Sequence, residues 1–571
     1  MNLNLKAKAQ QTYDAIVIGS GISGGWAAKE LTEKGLQTLV LERGRNVEHV
    51  KDYPTATLAP WQLEHRGRLP KEVRDQNPVA SRCYAYNETT AHFFADESEH
   101  PYTQEKPYDW IRAYQVGGKS LLWARMVQRW SDLDFAANAQ DGVGVDWPIR
   151  YADLAPWYSY VENFVGISGN RDGLPQVPDG EFLPPFEMNC IEKHMKERIE
   201  TLYPGRHLIV NRTANLTQAQ RIHQSVGRTN CLARDLCARG CPFGAYFSSN
   251  SATLPAAQAT GRLTLRPDSV VHSIIYDEQQ GRATGVRVVD AHSKEMTEYY
   301  ARIIFVNANT LNTARLLLHS TSSRFPTGLG NDSGALGHYL IGHNYRGRVT
   351  GEYDGFRDQY YSGRRPTSTY VPRFRNFGKD KQNNFIRGYS YSGFGSRSGW
   401  ARGTGSSGFG AAFKESLTQP GPWRFGLNGM GEFLPRFENH ASLHPDQVDA
   451  WGVPTLKISC DYGPNEEAML QDIMTTAAEM MEGAGLKVIS VTDTKQAPGN
   501  ENHEMGTARM GKDPKTSVLN KWNQVHAVPN VFVTDGACMA SSACQNPSLT
   551  YMALTASAAD HAVQELKRMN L

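Results

Sequence analysis

The sequence has 571 residues, of which 40% are hydrophobic and 21% charged. That is ordinary globular composition and enough chain for more than one domain. A formal charge of +2 supplies no bulk field for nucleic acid or an anionic membrane, so no nucleic-acid partner is expected. No apolar run reaches the ~18 residues that a membrane-spanning helix needs.

Residues 1–10 (MNLNLKAKAQ) carry two lysines but no apolar h-region, so no conventional secretory signal is expected there. Taken alone, that leaves the cytoplasm as one location. Residues 13–18 (YDAIVI) read as a buried parallel strand, followed by a helix to about residue 34 and a second strand, 37–41, ending at Glu42. This is a βαβ unit of about 30 residues. In the turn, Gly19 permits the tight bend, Gly21 lets backbone approach a pyrophosphate, and Gly24 lets helix and strand close together. Glu42, 18 residues after Gly24, is placed to accept hydrogen bonds from ribose hydroxyls. The pattern predicts a dinucleotide site without separating FAD from NAD.

Residues 50–109 lack periodicity and read as loops and short helices. Strands are expected over 263–277, 285–289 and 303–306, and a helix over 311–318. Residues 345–460 show aromatic alternation (425–434, 454–459) around a Gly/Ser-rich tract, 390–410, read as a flexible loop. An amphipathic helix covers 465–483. The fold class is therefore α/β (α+β overall), a Rossmann-like unit with an inserted mixed antiparallel sheet. The first unit takes 12–165, 215–330 and 500–571, with the cysteine segment 228–245 inside it. The second, a substrate domain, takes 166–214 and 331–499.

Five of the eight cysteines are dispersed, whereas Cys231, Cys237 and Cys241 fall in one short window, C-x5-C-x3-C, followed by Pro242. Three readings follow from thiolate chemistry. One is a zinc site with His223 as fourth ligand, although the usual C-x2-4-C pairs are missing. Another is a disulfide plus one free thiol. The preferred one is a three-cysteine iron–sulfur cluster such as 3Fe–4S.

Toward the C-terminus stand Asn502-His503-Glu504-Met505-Gly506-Thr507 and Asn546-Pro547-Ser548-Leu549-Thr550, with Thr534-Asp535-Gly536 between them. Together with Gln115-Val116-Gly117-Gly118-Lys119-Ser120 and Trp123, these motifs resemble the glucose–methanol–choline (GMC) family of FAD-dependent oxidoreductases, over essentially the whole chain. The resemblance implies FAD as cofactor, His503 as the active-site histidine and Asn546 as its partner. It also implies that Gly117, Gly118 and Ser120 pass the flavin, that Asp535 and Gly536 lie near its ribityl chain with Thr550 close behind, and that the Val271 backbone meets adenine. Residues 308–320 follow the family's second signature only loosely, so Asn309 alone is carried there. An imidazole of near-neutral pKa suits removal of a hydroxyl proton, and an amide beside it can hold the substrate oxygen.

The cysteine segment looks like that of catalytic subunits of bacterial membrane-associated sugar dehydrogenases. This implies a sugar or glycoside donor, oxidation of a secondary hydroxyl (C3 of a glucoside), and electron exit through the cluster to a cytochrome c. It further implies export to the periplasm with a small escort subunit bearing a twin-arginine signal. His343, Glu432 and Asn439 are polar candidates for the second domain's share of the cavity. The alternatives are a glucose- or gluconate-type dehydrogenase acting at another carbon, a GMC alcohol oxidase with structural cysteines, or a non-catalytic electron-transfer flavoprotein.

Overall fold

A computed structural model describes residues 12–361 and 366–571; residues 1–10, read above for a signal, lie outside them. Strand β1 (Thr12–Ile18), helix α1 (Ile22–Glu33) and strand β2 (Thr38–Leu41) form the expected βαβ unit. Ala15, Ile16 and Val17 are fully buried, which is why the run is continuously apolar rather than alternating. β1 pairs in parallel with β2 on one side and with Met296–Val306 on the other. Leu263–Arg266 extends the parallel sheet beyond β2, and Val528–Val533 extends it beyond Met296–Val306. Chain from both ends of the sequence thus completes one eight-stranded sheet. Phe305 and Phe532 stack face to face at 4.7 Å under its covering helices.

Against α1 the packing is close. A Cβ on Gly24 would fall 2.0 Å from the Gly19 carbonyl oxygen. Trp26 is fully buried and meets Phe164 edge-on at 5.4 Å. Lys29, equally enclosed, sits 4.6 Å over the Phe164 ring and pairs with Glu30 and Glu33. Such a charge is tolerable in the interior because it is paired.

The second unit is a seven-stranded sheet built from Ile209–Val210, His343–Asn344, Gly347–Tyr353, Thr369–Val371, Tyr389–Arg397, Trp423–Glu432 and Lys487–Asp493. Strand alternation divides its faces. Phe425, Leu427 and Tyr391 join Ile473 and Met469 of helix Pro464–Gly483 in one core, while Asn428, Met430 and Ser392 face the cavity described below.

Two expectations are corrected. The tract 390–410 is not a loop: it forms the inner strand Tyr389–Arg397 and the short 3-10 helix Trp400–Gly405 before the helix Gly410–Thr418. Its small residues are there for packing. A Cβ on Gly393 would meet the Thr369 hydroxyl at 2.4 Å, and one on Gly395 would meet Ile191 at 2.6 Å. The run 263–277 is two strands, Leu263–Arg266 and Ser269–Asp277. They are broken where Pro267 has no N–H to give and Asp268 turns to φ +51°. A third sheet pairs Thr103–Gln104 with Pro454–Ser459, so chain from the first unit is woven into the second. Among the described residues no helix is long and apolar enough to cross a membrane.

Candidate active site

Between the two large sheets lies a cavity of about 660 Å³. One end is the β1–α1 turn. Gly19 takes φ +97°, and a Cβ there would meet the Asn307 carbonyl oxygen at 2.3 Å, whereas the Cβ position of Gly21 faces open space. No side chain caps α1, which leaves its first N–H groups free for an anion. Glu42 accepts from the Ser20 N–H at 3.1 Å and hydroxyl at 2.6 Å and from the Gly44 N–H at 3.1 Å. Burial pushes its carboxyl up and these bonds oppose the shift.

The Gly117 loop closes over this turn. The Gly117 N–H donates to the Ser20 hydroxyl at 3.0 Å. The Cβ position of Gly118 comes within 3.5 Å of the Gly21 Cα. Ser120 holds the loop from inside, donating to the Gly117 carbonyl at 2.5 Å and accepting from the Ser249 N–H at 3.0 Å. Farther along the wall, Asp535 accepts from the Thr313 hydroxyl at 2.6 Å and the Ala537 N–H at 3.0 Å. Burial raises its carboxyl to about 6. Asn307 Nδ2, Asn312 Oδ1, Glu504 Oε1 and the Tyr551 hydroxyl all line the cavity, buried and without a partner among the described residues. Unmade hydrogen bonds at that density ask for a polar ligand, and with the bare α1 terminus and the Glu42 carboxylate they fit FAD.

At the other end His503 and Asn546 come together: Asn546 Nδ2 lies 3.3 Å from His503 Nε2. The His503 segment is pinned by a short bridge between Met505 and Ile341. It is also held by Gly506, where a Cβ would meet the Tyr339 carbonyl oxygen at 2.0 Å. Asn546 is held through its own N–H, which donates to Gln128 Oε1 at 3.3 Å, and Gln128 is anchored to Asn211 at 2.6 Å. The imidazole of His503 is driven well below its ordinary 6.5 by burial first, then by His343 and Lys119. Lys119 in turn pairs with Glu504 at 2.6 Å. Glu501, buried beside them, is raised to about 8 by burial and by the Glu504 charge.

Gly19, Gly21, Glu42, Gly118, Ser120, Val271, Asn309, Asp535, Gly536, His503 and Asn546 all border the one cavity. Gly24 and Gly117 act just behind its surface. Thr550 stands apart: it is fully buried, with its hydroxyl 2.8 Å from that of Tyr158. Of the three polar candidates only His343 joins the site, with Nδ1 at 3.1 Å from His503 Nδ1. Glu432 is locked between Arg373 and Arg387, and Asn439 clips the backbone of Asp461. Sequence reasoning missed the Lys119–Glu504 pair, although both residues stand inside quoted motifs. It also missed Arg348, which lines the cavity and whose guanidinium donates to Gln496 Oε1 at 3.4 Å. A single arginine on a strand carries no signal of its own.

Cys231, Cys237 and Cys241 are free thiols on one loop, and Cys237 reaches the cavity wall. The Cys231 thiol is raised by burial and by the proximity of the other two. Their chemistry suits a soft metal, but among the described residues no group of three or more His, Cys, Asp or Glu side chains is gathered to hold one. His223 is spent elsewhere: Nδ1 accepts from the Gln220 N–H at 3.0 Å and Nε2 meets the Asn163 carbonyl at 3.0 Å. That removes it as a fourth zinc ligand.

Comparison with known proteins matches residues 13–345 and 437–555 to two family models, each described as GMC oxidoreductase. The 2-methyl-1,2-propanediol dehydrogenase of Mycolicibacterium austroafricanum is 29% identical, over 98% of this chain and 96% of its own length. The fructose dehydrogenase large subunit of Gluconobacter japonicus is 26% identical, over 97% and 98%. Among solved structures, a formate oxidase variant of Aspergillus oryzae superposes with a TM-score of 0.60 at 14% identity, over 99% of this chain and 100% of its own.

Proposed function

The chain belongs to the GMC oxidoreductases, FAD-dependent enzymes acting on CH–OH groups, and on that premise we propose that it is a dehydrogenase of sugars or related polyols. One observation carries the reading: His503 Nε2 and the Asn546 amide, 3.3 Å apart, occupy the cavity whose opposite end is the Gly19–Glu42 dinucleotide cradle. When bound, the flavin supplies a hydride acceptor. The residues supply the rest. His503 takes the hydroxyl proton at Nε2, Asn546 orients the substrate oxygen, and the enclosing sheets exclude water. Arg348, with its Nε unpartnered, stands ready to donate to a hydroxyl or carboxylate of the bound molecule.

At finer grain, the reading is oxidation of a secondary hydroxyl, C3 of a glucoside, with electrons leaving to an external cytochrome c. The thiol spacing, and Cys237 on the cavity wall, support an iron–sulfur centre at Cys231, Cys237 and Cys241 on that exit. A periplasmic location and an escort subunit belong to the same proposal. The unconverged thiols favour a second reading, an alcohol oxidase with structural cysteines. Anaerobic mixing of the holoenzyme with glucose, gluconate and methyl glucoside, with the product identified by NMR, tests the first. Flavin bleaching and a 3-keto product are expected; an aldonolactone would move the reaction to the anomeric carbon. Iron analysis and EPR of the oxidised protein separate the two readings, as does peroxide released in step with turnover. In His503→Ala, flavin reduction is expected to fall by about 10²–10⁴, the usual worth of a positioned base. Unchanged reduction with flavin bound would remove His503 from the chemistry.

A further inference from the structure

The geometry points to His343 as the positioning residue that sets the tautomer of His503. This rests on His503 being the base. A neutral imidazole carries one proton, and only the nitrogen without it can accept another. Which nitrogen that is depends on the other nitrogen's hydrogen bond. In this family member the partner of His503 Nδ1 is another imidazole, His343 Nδ1 at 3.1 Å, with the rings nearly perpendicular at 80°.

Only one proton fits between two nitrogens at that distance, so the two rings have two arrangements. In the first, His503 carries its proton on Nδ1 and donates it to His343, whose own proton sits on Nε2. In the second, His343 donates from Nδ1 and His503 carries its proton on Nε2. The surroundings choose. His503 Nε2 meets the Nδ2 of Asn546, a donor, so a proton on Nε2 would set donor against donor. His343 Nε2 is buried with no hydrogen-bond partner among the described residues, so it favours neither arrangement. The Asn546 contact favours the first arrangement and opposes the second. The lone pair of His503 Nε2 then accepts from Asn546 until a bound substrate hydroxyl takes that place. When the substrate O–H breaks, the proton moves to Nε2, and the imidazolium keeps its Nδ1–H donated to His343.

His343 is itself immobile, which the role requires. It is fully buried. Its N–H donates to Glu501 Oε1 at 3.3 Å, its carbonyl accepts from the Tyr462 hydroxyl at 3.1 Å, and the residue pairs with Glu432 in the sheet. Glu501 and Tyr462 meet its backbone, and among the described residues no carboxylate is bonded to the ring nitrogens.

Three proteins test this: the holoenzyme, His343→Phe, which keeps the ring volume but accepts nothing, and His343→Gln, whose amide oxygen can take over the acceptor role. The readouts are the ¹⁵N spectrum of histidine-labelled protein, which distinguishes the two tautomers, and the rate of flavin reduction. Expected are an Nδ1–H signal for His503 in the wild type and its partial conversion to Nε2–H in H343F. With it goes a loss in reduction rate of about 10- to 100-fold, part of the worth of the base, and recovery to within a few-fold in H343Q. An Nε2–H signal in the wild type would overturn the assignment, and so would an H343F that reduces flavin at the wild-type rate. If H343F does not retain FAD, the wild-type spectrum and H343Q decide the matter. If no sugar bleaches the flavin, the proposed function fails while the tautomer result stands or falls by itself.

Discussion

At the residue scale the proposed function depends on burial acting on His503, its proposed base. Desolvation and the neighbouring His343 and Lys119 all disfavour the imidazolium of His503. The neutral, proton-accepting form therefore persists below pH 6.5, the ordinary histidine value, rather than being lost there. The acid limb of flavin reduction is expected below that pH. Stopped-flow reduction at saturating substrate across about pH 5 to 9 measures it, and a limb at or above 6.5 would contradict the account. Lys119 serves two ends. Paired with Glu504 at 2.6 Å, it lends positive potential to the cavity without standing as an uncompensated buried charge. His503 and Asn546 were legible because their motifs are contiguous in sequence. His343 was named only as one of three polar candidates, since nothing local tells a histidine bonded to His503 from Glu432, which is bonded to two arginines.

At the element scale, two glycine turns from distant parts of the chain meet. Gly118 approaches Gly21, and Gly117 hangs from Ser20. Gly117 has two reasons to be glycine: a φ of +92° and an Asn250 side-chain oxygen 1.7 Å from where its Cβ would stand. Gly142, at φ +72° with open space around it, has only the first. Gly117→Ala is therefore expected to displace the loop and lose FAD. Gly142→Ala should cost only the ~1–2 kcal/mol of left-handed strain and keep FAD bound. The flavin-to-protein absorbance ratio after purification reads the difference; equal retention in both would show that the loop does not form the cradle. The same element logic explains the misread tract 390–410. Glycine and serine signal looseness in a chain that is exposed, but between helix Cys190–Leu202 and the neighbouring strands they are the residues small enough to let the layers close.

At the scale of the whole molecule, buried carboxylates make stability depend on pH. Glu501 is raised to about 8, Asp134 to about 7 and Asp535 to about 6, in each case by burial first. Unfolded, the same groups titrate near 4. Between those limits the folded state holds protons that the unfolded chain has released, so stability falls as pH rises through that window. Glu501→Gln removes the uppermost step. The Tm of the variant should decline less than that of the wild type between about pH 6 and 8, measured by calorimetry on the holoenzyme. An unchanged slope would mean that Glu501 does not hold a proton in the fold.

The βαβ unit, its glycines and Glu42 were determined by sequence alone, because each needs only near neighbours along the chain: an apolar run, a turn without Cβ atoms, an acid at a strand end. The motifs around His503 and Asn546 were legible for the same reason. Only the tertiary structure brought these two side chains, 43 residues apart in the chain, to 3.3 Å. It also turned His343 onto the Nδ1 of His503, withdrew Thr550, Glu432 and Asn439 from the cavity, and engaged both nitrogens of His223 elsewhere. A side chain's partners across a cavity depend on how two sheets pack, and that packing is decided by buried surface summed over the whole chain, which no local window contains.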